Sequence, residues 1–274
     1  MTSPERFAEL SSGLADGVRG AEPLVGLVLL GSSSEAGAAR RDEWSDHDFF
    51  AVAAPGAGPR ARSELDWLPS PERIVLRARE GELGFAALYD DGHLMEFAVA
   101  EPAELGGALA TDATVAVDDR EARVSALVEA ARGAAAAADA FDAENDIRLA
   151  LLKLLVGVGR ARRGEVLSAG EFVRTWAVKH LVRAVRGRLG AASASAARDT
   201  IDPIRRFERD FPEWGDEIAR ALALPVEGAA RRLFVLARRL EPGWEGFPRE
   251  AADTVARRLG WEAAAGADAA GQPR

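Results

Sequence analysis

The chain contains no cysteine, so neither a disulfide framework nor a thiolate metal site is open to it. Lysine is nearly absent too: Lys153 and Lys179 stand against 33 arginines, in a sequence very rich in Ala and Gly. That imbalance has the look of a coding-composition bias, so clusters of arginine carry little weight here as anion sites. A formal charge of −9 argues against a general nucleic-acid coat, which would be basic. No apolar run reaches the ~18 residues of a membrane-spanning helix. The opening MTSPERFAEL has no basic segment followed by an apolar one, so a soluble, cytoplasmic protein is expected. No G-x-x-x-x-G-K-[ST] occurs, which disfavours a Walker-type ATPase. His93 and His180 stand alone without metal-ligand spacing, and both are expected to be structural.

What the sequence does have is material for a core: 274 residues, 48% of them apolar, with 11 Phe and 6 Trp. An amphipathic helix is expected over 5–19, closed by Gly20. LVGLVLL (24–30) is a continuous apolar run too short for a core helix, and so reads as a buried strand. HDFFAVA (47–53) is another. A short helical segment led by Ser63 follows, then strands IVLRA (74–78), GFAALY (84–89), HLMEFAVA (93–100) and TVAVDD (114–119), with a turn at Asp90-Asp91-Gly92. From residue 123 onward the periodicity is helical. In EFVRTWAVKHLVRAVRGRL (171–189) the apolar face would comprise Phe172, Trp176, Val178, Leu181, Val182 and Val185. Pro203, Pro212 and Pro248 sit where they can open helices, with Asp202 as N-cap to the first. The expectation is an α+β protein: a domain with a mixed β-sheet over 1–122, then a helical bundle over 123–274.

The stretch GLVLLGSSSEAGAARRDEWSDHDFFAVA (26–53) carries the chemistry. A strand ending in Gly31-Ser32 lets the backbone turn sharply and approach a ligand, because Gly has no Cβ. Ser32 and neighbouring amides can donate to phosphate oxygens. Side chains alternate along a strand, so Asp46 and Asp48 share a face while His47 points away from it. Two carboxylates beside a phosphate cradle suit Mg²⁺, which takes one or two carboxylates together with substrate phosphates. Glu96, a lone acid inside an apolar strand, is the best third carboxylate, with Glu101 and Glu104 as runners-up. Lys179, Arg183 and Arg186 form one stripe on a helix, either facing a triphosphate or simply solvated. Lys153 lies within LLKLLV and can snorkel or serve a site. Trp44 either borders an acceptor pocket or packs within its loop.

An apolar strand, Gly-Ser, about a dozen residues and then Asp-x-Asp in a second apolar strand resemble the nucleotidyltransferase superfamily that includes DNA polymerase β. Gly31, Ser32, Gly37 and Asp42-Glu43-Trp44-Ser45-Asp46 look most like its antibiotic-modifying branch. GVGRARRGEVLSAGEFVRTWAVKHLVRAV, with its Arg163-Gly164-Glu165 turn, is similar to the helical domain of lincosamide and aminoglycoside nucleotidyltransferases. His47 departs from the pattern, where an aliphatic residue is usual. The resemblance implies transfer of AMP from ATP to a hydroxyl of a small acceptor, an aminoglycoside or lincosamide, with release of pyrophosphate. It implies Mg²⁺ (two ions) held by Asp46 and Asp48, with Glu96 either completing the metal site or taking the proton of the acceptor hydroxyl. Nucleotide contacts would come from Gly31, Ser32, Ser33, Lys153, Lys179 and Arg183. The loop acids Glu35, Asp42 and Glu43 would suit a cationic acceptor. A monomer or homodimer without nucleic-acid or membrane partners is expected. A protein adenylyltransferase of toxin–antitoxin type and a catalytically silent nucleotide-binding relative are the alternatives.

Overall fold

A computed structural model of the chain describes residues 4–105, 113–138, 141–190 and 202–261. The chain divides into two compact units, Met1–Asp139 and Ala140–Arg274. The first is built on a six-stranded mixed sheet and the second on helices, so the fold is α+β.

In the first unit the order along the chain is α1 (Pro4–Gly20), β1 (Leu24–Leu30), β2 (His47–Ala53), α2 (Gly58–Ser63), β3 (Ile74–Glu80), β4 (Gly84–Tyr89), β5 (Leu94–Ala100), β6 (Thr114–Val117) and α3 (Arg123–Ala138). The strands lie in the order β3-β4-β5-β2-β1-β6. Only β2 and β5 pair in parallel; the other neighbours are antiparallel. β1 and β2 are covered on both faces, which is why their sequences read as nearly unbroken apolar runs.

The alternation of side chains splits the unit into two layers. Toward one face, Leu10, Leu14 and Val18 of α1 pack on Leu27, Leu29, Phe49, Met95, Phe97 and Val99. Phe97 stacks between Phe49 and Phe85, with centroids 4.8 and 5.5 Å away. Each such ring contributes about 1.5–3 kcal/mol by leaving water. Toward the other face, Val124, Val128 and Ala131 of α3 cover Val28, Leu30 and Val52. α3 thus packs with the sheet, and the chain divides at 139/140 where 122/123 was expected. A correction concerns Ser63, which closes α2 instead of leading a helix; its hydroxyl donates back to Arg60 O at 2.8 Å.

The second unit contains α4 (Ala143–Arg162), α5 (Val166–Gly170), a π-helical segment (Glu171–Ala177) running into α6 (Val178–Leu189), α7 (Phe207–Asp210), α8 (Pro212–Leu222), α9 (Val226–Arg238) and α10 (Arg249–Leu259). Asp142 caps α4, its side chain accepting from Asn145 N at 2.9 Å. Gly164 turns the chain after α4 at φ +81°, where a side chain would be strained. The core gathers Leu151, Leu154, Val158, Leu181, Val182, Leu233 and Phe234. The π-helical segment shifts the phase of the helix by a fraction of a turn. Val173 and Ala177 are thereby buried, while Trp176, expected inside, is 38% exposed. Pro212 opens α8 as expected. Asp202 does accept from Ile204 N, but residues after Pro203 form turns and the regular helix starts at Phe207. Pro248 precedes the first residue of α10. Among the described residues no helix is long and apolar enough to cross a membrane.

Candidate metal centre and its loop

The centre is assembled by strand pairing. β1 and β2 run antiparallel with Leu30 opposite Asp48, so Gly31 emerges beside the two aspartates. β5 lies parallel to β2 with Glu96 opposite Asp48. Neighbouring strands are ~4.8 Å apart, and opposed side chains share a face. One carboxylate oxygen each from Asp46, Asp48 and Glu96 falls within 4.8 Å of the others. Asp46 and Asp48 are half-buried and Glu96 is exposed. Three hard oxygen donors from two adjacent strands, with one side open, are a donor set that fits Mg²⁺. The two runners-up serve elsewhere. Glu101 accepts from the backbone of Gly56 and Gly58 at 2.8 and 2.9 Å. Glu104 accepts from Glu101 N and from Arg62.

The loop after β1 is a tight 3-10 turn over Gly31–Ser33. Gly31 has φ +53°, which favours glycine, and a Cβ there would sit 3.3 Å from Asp48 Oδ2, a close approach. Ser34 Oγ donates to Gly31 O at 2.8 Å and accepts from Gly37 N at 2.9 Å. Gly37 approaches so closely that a Cβ would fall 1.7 Å from Gly31 O. The serines expected at the phosphates are buried, and their hydroxyls reach back to Asp46: Ser33 Oγ donates to Asp46 O at 3.2 Å and Ser32 Oγ makes a longer contact at 3.4 Å. Ser33 Oγ also accepts from Asp48 N at 3.2 Å. These side chains tie the loop to the aspartate strand.

Arg41 was passed over in the sequence because arginines are so common. Its Nε and Nη2 both donate to Ser32 O, at 3.2 and 3.0 Å, and its guanidinium lies 4.0 Å from the centre of the Phe7 ring. Burial lowers its pKa from the ordinary arginine value. The signal was positional: the residue directly precedes the Asp42 turn. That turn is closed by Asp42 itself, whose Oδ1 accepts from Trp44 N and Ser45 Oγ. Asp42 is thus engaged within the loop through one of its oxygens, while the side chain stays exposed. Trp44 is 82% exposed, so it does not pack within the loop.

His47 faces away from the carboxylates, as alternation requires, and is fully buried. Its ring stacks on Phe7 at 3.9 Å, Nε2 lies 2.8 Å from Ser11 Oγ and Nδ1 lies 2.6 Å from His93 Nε2. Ser11 Oγ donates its proton to Phe7 O, so it accepts from His47 Nε2–H. His47 Nδ1 then accepts from His93 Nε2–H, and a further proton on His47 has no acceptor. Burial, then the neighbouring His93 and Arg41, push its pKa down to about 3. Burial also lowers that of His93. Both rings lie inside this unit, in line with the structural role expected of His93.

The remaining candidates lie in the second unit. Lys153 Nζ sits 5.1 Å from the Trp176 ring and 5.7 Å from that of Phe172. Lys179 is exposed. Arg183 is neither a bare solvated residue nor a free cation: its Nε donates to both oxygens of buried Asp146, which also accepts from His180 Nδ1 at 2.9 Å. Arg186 pairs with Asp210 at 2.6 Å. The expected stripe is therefore mostly neutralised within its own unit.

No family model matches the chain, and no curated protein matches it. Among solved structures it is similar to an aminoglycoside 6-adenyltransferase from Bacillus subtilis, at 12% identity and a TM-score of 0.39. That match covers 95% of this chain and 98% of the other. A likeness so loose carries no argument about activity, which rests on the carboxylates and their loop.

Proposed function

We propose that the protein is a Mg²⁺-dependent nucleotidyltransferase that moves AMP from ATP to a hydroxyl of a small acceptor, an aminoglycoside or lincosamide type of molecule. The observation that carries this reading is the convergence of Asp46, Asp48 and Glu96 on one sheet face, with ligand oxygens within 4.8 Å and a glycine-built turn beside them. Three carboxylates gathered on one sheet face are hard oxygen donors of the kind that Mg²⁺ takes.

In this reading Asp46, Asp48 and Glu96 hold the metal. Bound there, Mg²⁺ supplies charge neutralisation on the phosphates and acidifies the acceptor hydroxyl. Gly31 lets the backbone come close to the phosphate tail, and Ser33 holds the turn against Asp46 and Asp48 so that the cradle and the carboxylates move as one. The acceptor oxygen bonds to the α-phosphorus, the bond from that phosphorus to the bridging oxygen breaks, and pyrophosphate leaves. Glu96, the most exposed of the three, takes the hydroxyl proton. Lys153 and Lys179 remain candidates for nucleotide contacts; Arg183 would first have to leave Asp146.

The test is incubation with ATP labelled at the α-phosphate and a panel of aminoglycosides and lincosamides, with adducts detected by mass. Adducts carrying one AMP are expected from the wild type and none from Asp46→Asn or Asp48→Asn, with far-UV circular dichroism unchanged. Full transfer by either variant would refute the metal assignment.

A further inference from the structure

Among the described residues, the core cluster that α3 forms on the triad's face takes in Val28 and Leu30 of β1, Val52 of β2 and, from β5, Ala100 alone. Over β3, β4 and β5 the same face carries Leu76, Ala78, Ala86, Leu88, Leu94 and Ala98, none of which joins a core cluster. Leu76 is 51% exposed, and the four on β4 and β5 are half-buried. A solvated face of an antiparallel sheet normally alternates to polar residues. On β4 and β5 this one does not: Glu96 is its only charged side chain. Register places Ala86 directly across from Glu96 on β4 and Asp48 directly across on β2. Leu94 and Ala98 flank Glu96 along its own strand, roughly 7 Å away. Ala98 is also paired with Phe50, which closes the shelf on the β2 side. The small side chains of Ala86 and Ala98 leave the surface lowest where it meets the carboxylates.

We infer that this apolar shelf is the floor of the acceptor site, and that it selects acceptors whose reactive hydroxyl sits on a body with one hydrocarbon face. The inference rests on the proposed nucleotidyl transfer and adds to it the class of acceptor. A hydroxyl poised at Asp48 and Glu96 belongs to a molecule whose remainder must lie over neighbouring residues of that face, and those residues offer no hydrogen-bonding side chains. An acceptor polar on all sides would lose water there without compensation. One with an apolar side would bury it against Leu88 and Leu94.

The experiment titrates lincomycin, which has an alkyl-substituted ring, and kanamycin, which is polar all round, into the full chain with Mg²⁺ and a non-hydrolysable ATP analogue. Calorimetry reads the affinities of the wild type, Ala86→Phe, which fills the shelf, and Leu88→Ser, which wets it. The expected result is lincomycin binding at least tenfold tighter than kanamycin. Each substitution should weaken lincomycin tenfold or more, leaving the affinity for the nucleotide analogue and the melting temperature in place. Tighter binding of kanamycin, no binding of either drug, or unchanged lincomycin affinity in both variants would overturn the shelf. Failure of nucleotidyl transfer shows separately, as loss of the Mg²⁺-dependent nucleotide binding in the wild type.

Discussion

Removing one carboxylate from the triad should make the protein blind to Mg²⁺. The perturbation is Asp46→Asn, which keeps the shape of the side chain and replaces a charged oxygen donor with a neutral one. Its oxygen lies within 4.8 Å of one from Asp48 and one from Glu96. A cation that binds only the folded state should add about 1.4 kcal/mol to the wild type at ten times its dissociation constant and about 2.7 kcal/mol at one hundred times. For a unit of this size that is a rise of about 3–9 °C in the melting temperature. Mg²⁺ depends on carboxylate oxygens, so the amide should forfeit most of that gain. Thermal melts in EDTA and over a series of MgCl2 concentrations measure both proteins. Two outcomes refute the reasoning: a wild type whose melting temperature does not rise with Mg²⁺, or an Asp46→Asn protein that gains as much from it.

Three further outcomes follow from other parts of the structure. Gly37→Ala forces a Cβ to within 1.7 Å of Gly31 O, so the turn must open; affinity for a non-hydrolysable ATP analogue should fall at least tenfold by calorimetry, and an unchanged value would mean the turn does not hold nucleotide. His47 has its pKa depressed in the fold, so below pH 6.5 the unfolded chain takes up a proton that the native state refuses until about pH 3. Stability from this group is therefore full above pH 6.5 and declines as pH falls, by about 2 kcal/mol at pH 5; urea melts of His47→Leu should show a flatter profile between pH 7 and 5, and an equally steep one counts against the assignment. Arg183→Met leaves Asp146, 3% exposed, with His180 as its remaining partner; a loss of about 2–3 kcal/mol in urea is expected, whereas no loss would show that the charge is not truly buried.

Legibility in the sequence tracks how local each determinant is. β1 and β2 could be read because burial on both faces writes itself as consecutive apolar residues, and Asp46 and Asp48 were visible as the interruption of such a run. Glu96 was visible for the same reason, yet its adjacency to Asp48 depends on β5 lying parallel to β2, a pairing made only after β3 and β4 have turned away. No pattern within either strand encodes that neighbour. Glu101 shows the converse: it looked like a spare acid because its partners, the amides of Gly56 and Gly58, lie more than 40 residues upstream. Arg183 and Asp146, 37 residues apart, escaped notice in the same way, so the stripe looked more cationic than it is. In the helical unit one π-helical segment was enough to move Trp176 outward, since the 3.6-residue period used to read the face does not hold through it. The apolar shelf is the most telling case. Leu88, Leu94 and Ala98 read as ordinary strand residues, and only the strand register and the reach of α3 show that, among the described residues, they join no core cluster and lie beside the carboxylates. A half-buried apolar surface next to three acids, outside the core clusters of the described residues, is what the proposed site for an amphiphilic acceptor requires.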